Sequence, residues 1–126
     1  MFDNDSQPIY IQIAHDLEHQ ILTGALTEGD QVMSTTQYST LYRINPATVA
    51  KGFSLLIDGG ILEKRRGIGT FVAPGARDRL NQRAREAFVD DHLAPLLNRA
   101  ADIGMTPEAL IDLIRTHFTE LTGRTS

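Results

Sequence analysis

Cysteine is absent from this 126-residue sequence, which excludes disulfide frameworks, thiolate zinc sites and thiol catalysis. Tryptophan is absent too, and aromatics make up only 6%, so a core has to be mainly aliphatic. No apolar run approaches the roughly 18 residues that a membrane-spanning helix needs. The opening MFDNDSQP is acidic, unlike a secretory signal, and a soluble cytoplasmic chain with no membrane partner is expected. Positive charge is also in deficit. A net charge of −4 gives no global attraction to nucleic acid or to an anionic membrane, so either would have to be bound by a local patch.

Catalytic sets are missing as well. His15 and His19 stand i, i+4 on one helix face, a spacing that suits a metal pair, but no third ligand follows at a recognisable spacing. Asp91 with His92, and His117, form no acid–base set, and no nucleophile has a paired base. The glycines of RRGIGTF precede no helix on which a phosphate could rest. The sequence therefore predicts no enzyme, no metal and no cofactor.

What is present is organised. Residues 1–29 carry Asp3, Asp5, Asp16, Glu18 and Glu28 and no Lys or Arg. Residues 30–74 carry Arg43, Lys51, Lys64, Arg65 and Arg66 against Asp30, Asp58 and Glu63, a small basic centre. From Pro8, the apolar residues Ile9, Tyr10, Ile13, Leu17 and Ile21 recur at helical spacing until Gly24. TEGDQV then turns the chain. Ser34 and Gln37 have capping-box spacing, predicting a short helix to about Tyr42. Arg43 and Ile44 make a tight connection to Asn45-Pro46, a cap followed by a proline at the first helical position. The third helix turns Val49, Gly52, Phe53 and Leu56 inward and ends at Gly59-Gly60. ILEKRR and GTFVA then read as two strands joined around Gly67-Ile68-Gly69.

The outer face of that third helix is unusually bland: Ala47, Thr48, Ala50, Lys51 and Ser54. A plain solvated helix usually carries more charge. A helix that enters a major groove about 12 Å wide cannot be bulky everywhere, and small residues such as Ala47 permit close approach while Thr48, Lys51 and Ser54 reach bases or phosphates. Two short helices separated by a tight turn, followed by a basic hairpin, predict a winged helix-turn-helix. Strand alternation sends Lys64 and Arg66 to one side of the wing and Arg65 to the other. Charge on an edge hairpin also serves solubility alone.

The segments PIYIQIAHDLEHQILTGALTEGDQV and RINPATVAKGFSLLIDGGILEKRRGIGTFV, with the spacing between them, resemble the N-terminal winged-helix domain of GntR-family transcriptional regulators. The short C-terminal part and the INPATV wording resemble the YtrA subfamily. The resemblance implies a sequence-specific DNA-binding regulator, a homodimeric repressor on an inverted-repeat operator, controlling a transporter operon. Many members carry an arginine two residues after the serine that matches Ser34, where Thr36 stands here. Many also have arginines where this chain has Pro46 and Ala50. The DNA contacts are accordingly expected from Ser34, Thr36, Arg43, Asn45, Ala47, Thr48, Lys51, Lys64, Arg65, Arg66 and Gly67. The rival reading is a winged-helix interaction module whose basic wing binds an acidic protein partner.

The remaining residues form a second unit. One long helix is expected from about Ala76 to Ile103, kinked by Pro95, and a second starts at Thr106-Pro107. The expected whole is mainly α with a small β-hairpin: a winged-helix domain over 1–74 and a two-helix dimerisation unit over 75–126. Two helices cannot cover so much apolar surface by themselves, so pairing with a second copy is expected through Leu80, Phe88, Leu96, Leu97, Leu110, Ile114 and Phe118. Packing back onto the same chain is the alternative. Two helices offer too few walls for a cavity of several hundred Å3, which leaves a small-molecule effector only the dimer seam.

Overall fold

A computed structural model describes residues 7–123. The acidic stretch containing Asp3 and Asp5 lies outside them. Helix α1 spans Ile9–Leu22 and α2 spans Thr35–Tyr42. Helix α3 spans Pro46–Asp58, strands β1 and β2 span Leu62–Arg65 and Gly69–Val72, and α4 spans Ala76–Phe88. A π-helical turn, Val89–Leu93, leads into α5, Ala94–Asp102, and α6 is Pro107–Thr122.

The local signals act as their chemistry requires. Ser34 Oγ accepts from Gln37 N at 3.0 Å while Gln37 Oε1 accepts from Ser34 N at 3.0 Å, so two orphan donors are satisfied reciprocally. Asn45 Oδ1 accepts from Ala47 N at 2.8 Å, with Pro46 first in the helix. Thr106 repeats this for α6, accepting from Ala109 N at 3.2 Å.

The chain divides into two compact units, one up to Ala84 and one from Arg85. In the first, α1 contributes Ile13, Leu17 and Ile21, α2 contributes Tyr38, and α3 contributes Val49, Phe53 and Leu56. Ile61, Leu62 and Val72 close the core from the base of the hairpin. Burying each large aliphatic side chain contributes about 1.5–3 kcal/mol. Tyr38 packs edge-on against Phe53 at 5.7 Å between centroids, and its hydroxyl donates to Asp16 Oδ2 at 2.8 Å. Burial first, and that anionic partner second, push the phenol's pKa well above its ordinary range.

Packing carries this unit past residue 74. Ala76 and Leu80 of α4 are fully or almost fully buried in the same core. Leu80, expected at a seam between copies, is 4% exposed here and is corrected to a core residue. Three arginines fasten the start of α4 by donating to carbonyls: Arg77 to Leu22 O at 3.3 Å, Arg79 to Gly60 O and Pro74 O at 3.0 and 2.7 Å, and Arg83 to Gly59 O at 2.6 Å. Those oxygens lie at the C-terminal ends of α1 and α3 or in the loop before α4. Helix-end carbonyls lack intrahelical donors and carry partial negative charge.

In the second unit, the long helix is interrupted just ahead of Pro95, the residue at which a kink is expected. Pro95 has no N–H to offer the carbonyl of Asp91. The chain widens ahead of it into the π-helical turn, in which Ala94 N donates to Val89 O, five residues back. Ala100 is the buried residue of this unit's helices, while Phe88, Leu96, Leu97, Ile103, Ile111, Ile114 and Phe118 are all more than two-fifths exposed.

Candidate nucleic-acid interface

The wing is built on one hairpin with the pairs Leu62↔Val72, Glu63↔Phe71, Lys64↔Thr70 and Arg65↔Gly69. A third segment supports it. Gly29 N donates to Val72 O, Val72 N to Asp30 O, and Val32 N to Thr70 O, each at 2.9 Å. The stretch expected only to turn the chain thus also pairs with β2. Gln31 completes the brace, its Nε2 donating to Ile68 O at 3.2 Å. Gly67 sits in the exposed turn with φ +75 and open space around it, a conformation that side chains disfavour.

The three basic wing residues differ in their commitments. Arg65 lies on β1 with its guanidinium 4.1 Å from the centroid of the Phe71 ring and 3.3 Å from Glu63 Oε2. Lys64 points to the other face of β1, and Arg66 lies in the turn beyond the end of the strand. Strand alternation therefore does not decide the direction of Arg66. Among the described residues neither Lys64 nor Arg66 has an ion-pair or hydrogen-bond partner.

On α3 the buried side is Val49, Gly52, Phe53 and Leu56. Ala47, Ala50, Lys51 and Ser54 are exposed and Thr48 is partly buried. At Gly52, α1 comes close. A Cβ placed there would stand 2.8 Å from the Tyr10 carbonyl oxygen and 3.1 Å from Ile13 Cγ2. Lys51 leans the same way, its Nζ lying 4.0 Å above the centroid of the Tyr10 ring. In the sequence Tyr10 reads only as part of the apolar stripe of α1, and nothing in the spacing distinguishes a ring at the edge of that stripe from one inside it.

The connection between α2 and α3 holds Arg43 in the left-handed region, φ 54, the one non-glycine residue among those described with positive φ. Ser39 Oγ donates to the carbonyl of Ile44 and fixes the turn. Arg43 is exposed there. Ser34 and Asn45 are exposed too, but their side-chain oxygens are already engaged as helix caps. A cleft of about 410 Å3 runs between the start of α2 (Ser34, Thr35), the flank of α3 (Ala50, Ser54, Ile57) and the wing (Lys64, Arg65, Gly67). Thr36 faces elsewhere, into a larger open hollow of about 810 Å3 along α2 with Met33, Thr40 and Leu41. The structure thus brings Ser34, Lys64, Arg65 and Gly67 to one cleft flanked by α3 and leaves Thr36 outside it.

Other titratable groups do not extend the site. Glu18 of α1 is half-buried, and burial raises its pKa although the charges of His15 and Arg83 pull it down. Among the described residues no three His, Cys, Asp or Glu side chains gather as a metal set. No helix among them is long and apolar enough to cross a membrane.

The chain matches no family model. It is 32% identical over 121 residues to the uncharacterized HTH-type transcriptional regulator YhcF of Bacillus subtilis, covering 91% of this chain and 93% of that protein. It is 30% identical over 118 residues to the HTH-type transcriptional repressor YtrA of the same organism, covering 94% and 90%. Among solved structures it resembles YtrA from Sulfolobus acidocaldarius, a GntR-family transcription factor, at 25% identity and a TM-score of 0.56, over 95% of this chain and 97% of that one. A transcriptional regulator from Oenococcus oeni shares the fold at a TM-score of 0.77 and 22% identity, over 94% and 97%.

Proposed function

This chain belongs to the GntR family of HTH-type transcriptional regulators, with a YtrA-like build, and is a DNA-binding regulator rather than an enzyme; on that premise we propose that it acts in the cytoplasm as a homodimeric repressor that occupies an inverted-repeat operator. In this reading residues 1–74 hold the DNA-binding surface. Helix α3 enters the major groove with Ala47, Thr48 and Lys51 nearest the bases. Ser34, Thr36, Arg43 and Asn45 lie beside the phosphate backbone, and Lys64, Arg65, Arg66 and Gly67 follow the adjacent minor groove, where arginine is favoured. The observation that carries the reading is a bland, capped helix flanked by a wing on which Lys64 and Arg66 lack any described partner. In a chain of net charge −4, such a local patch is what phosphate binding requires.

The dimeric part of the proposal is supported by the second unit, whose helices leave Phe88, Leu96, Leu97, Ile114 and Phe118 more than two-fifths exposed. Leu110 is partly buried on the same helix as Ile114 and Phe118. So much apolar surface seeks a partner, and a second copy of residues 75–126 offers the same faces. A two-fold dimer reads two half-sites about one helical turn, or a multiple of it, apart. Control of a transporter operon, which the resemblance to the YtrA subfamily implies, belongs to this proposal and rests on that resemblance alone.

The test combines sedimentation with DNA binding. The full chain should sediment as a dimer at micromolar concentration and enrich a palindromic duplex from a random pool. Lys51→Ala should weaken that complex by about 1–3 kcal/mol if Lys51 reads a guanine edge. If Lys51 touches phosphate alone, the salt slope should drop by about one instead. A monomer with full affinity for the duplex would refute the dimeric reading.

A further inference from the structure

We propose that Tyr10 is a positioning residue for Lys51: the ring on α1 holds the lysine ammonium at the DNA-facing surface of α3 before DNA arrives. The inference rests on the reading of Lys51 as a DNA contact and extends it to a residue on another helix. A lysine on an exposed helix face ordinarily carries a flexible four-carbon stem whose freedom is lost on binding. Here Nζ lies 4.0 Å from the Tyr10 ring centroid, inside the roughly 6 Å over which a cation is drawn to an aromatic face. Among the described residues no carboxylate pairs with Lys51. The difference matters chemically. A carboxylate would neutralise the charge that attracts a phosphate, whereas a ring face orients the ammonium and leaves its charge uncompensated and N–H donors free.

The backbone that carries the ring is set by close packing of α1 on α3. Gly52 follows Lys51 directly, and its lack of a side chain lets α1 approach until a Cβ would be 2.8 Å from the Tyr10 carbonyl oxygen. Main chain rests on main chain at the very residue whose ring receives the ammonium. Tyr10 is partly buried. Arranging a charge before binding lowers the ordering cost of the complex.

The experiment is a double-mutant cycle on a labelled duplex enriched by the wild-type chain from a random pool. Tyr10→Leu should weaken binding by about two- to five-fold, the range expected of an exposed cation–π contact. Tyr10→Phe, which keeps the ring, should bind like wild type, and Tyr10→Leu should have no further effect once Lys51 is Ala. The ring-current shift of the Lys51 ε-methylene protons reports the contact in the unaltered protein, so the proposal survives a poorly folding leucine variant. Loss of affinity in Tyr10→Phe, a leucine effect undiminished in the Lys51→Ala background, tighter binding by Tyr10→Leu, or no ring-current shift would each overturn the proposal. Failure of the wild type to enrich any duplex would overturn the DNA reading together with the proposal. Enrichment without coupling between positions 10 and 51 overturns the proposal alone.

Discussion

Replacing Gly52 by alanine sets two rules of opposite sign against each other. Helix propensity alone favours alanine over an interior glycine by about 1 kcal/mol, and Gly52 lies well inside α3. Packing says the reverse. The added methyl would meet the Tyr10 carbonyl oxygen at 2.8 Å and Ile13 Cγ2 and Cβ at 3.1 and 3.2 Å. The nearest of these is backbone, so relief requires α1 to shift rather than a side chain to rotate. Overpacking of a tight core costs about 1–3 kcal/mol, and with a main-chain neighbour the upper half of that range applies. The expected net loss is about 1–2 kcal/mol after the propensity gain. For a unit of this size that lowers the melting temperature by about 4–8 °C per kcal/mol. Urea unfolding followed by far-ultraviolet circular dichroism measures it, with Ser54→Ala on the exposed face as the control. A Gly52→Ala midpoint equal to or above wild type would show that α1 and α3 are not in close contact there, and the reasoning would fail.

Three further variants test the wing and the buried carboxylate of α1. Arg66→Ala should lower DNA affinity with almost no change in melting temperature, because Arg66 has no described partner. Arg65→Ala should lower both, since it also uncovers Phe71; equal thermal behaviour of the two variants would contradict the packing role of Arg65. Glu18→Gln should stabilise the protein at neutral pH. Glu18 has a folded-state pKa raised by burial, so wild-type stability is complete below the ordinary carboxyl range and is lost as pH rises through the raised value. The advantage of the glutamine variant should therefore shrink as pH falls, and urea midpoints measured from pH 4 to 8 with a constant gap would refute it.

The parts of the fold that were legible in the sequence are those written in local chemistry. Ser34 with Gln37, Asn45 with Pro46 and Thr106 with Pro107 each announce a helix start, because a cap is made by residues adjacent in the chain. The hairpin around Gly67 is local in the same sense. What escaped depends on distance. Arg79 and Arg83 look like solvated charges on α4 until the helix end at Gly59 and Gly60 is beside them. Leu80 belongs to the same apolar pattern as Phe88, and spacing alone cannot say which of the two a core will use. Gln31 and Tyr10 brace the candidate site from segments far from it in sequence. The left-handed Arg43 gave no signal, because positive φ is ordinarily a glycine property. Even Pro95, seen as a disturbance, did not reveal that the helix would widen into a π-helical turn ahead of it.

That widened turn has a consequence for how chain length can vary. At about 100° per residue, Phe88 and Leu96, eight positions apart, should face directions about 80° apart. The turn at Val89–Leu93 takes up one residue more than an α-turn would. Discounting that residue brings Phe88 and Leu96 within about 20° of each other, and Ala100 and Ile103 fall into the same stripe. The turn behaves as an insertion that the helix has absorbed. A relative with one residue fewer between 89 and 93 could run as an unbroken α-helix and still present the same apolar stripe. Losing one residue from α5 itself would instead rotate everything after it by more than a quarter of a circle. Gaps in an alignment of such proteins should therefore gather at this turn and avoid the helix that follows.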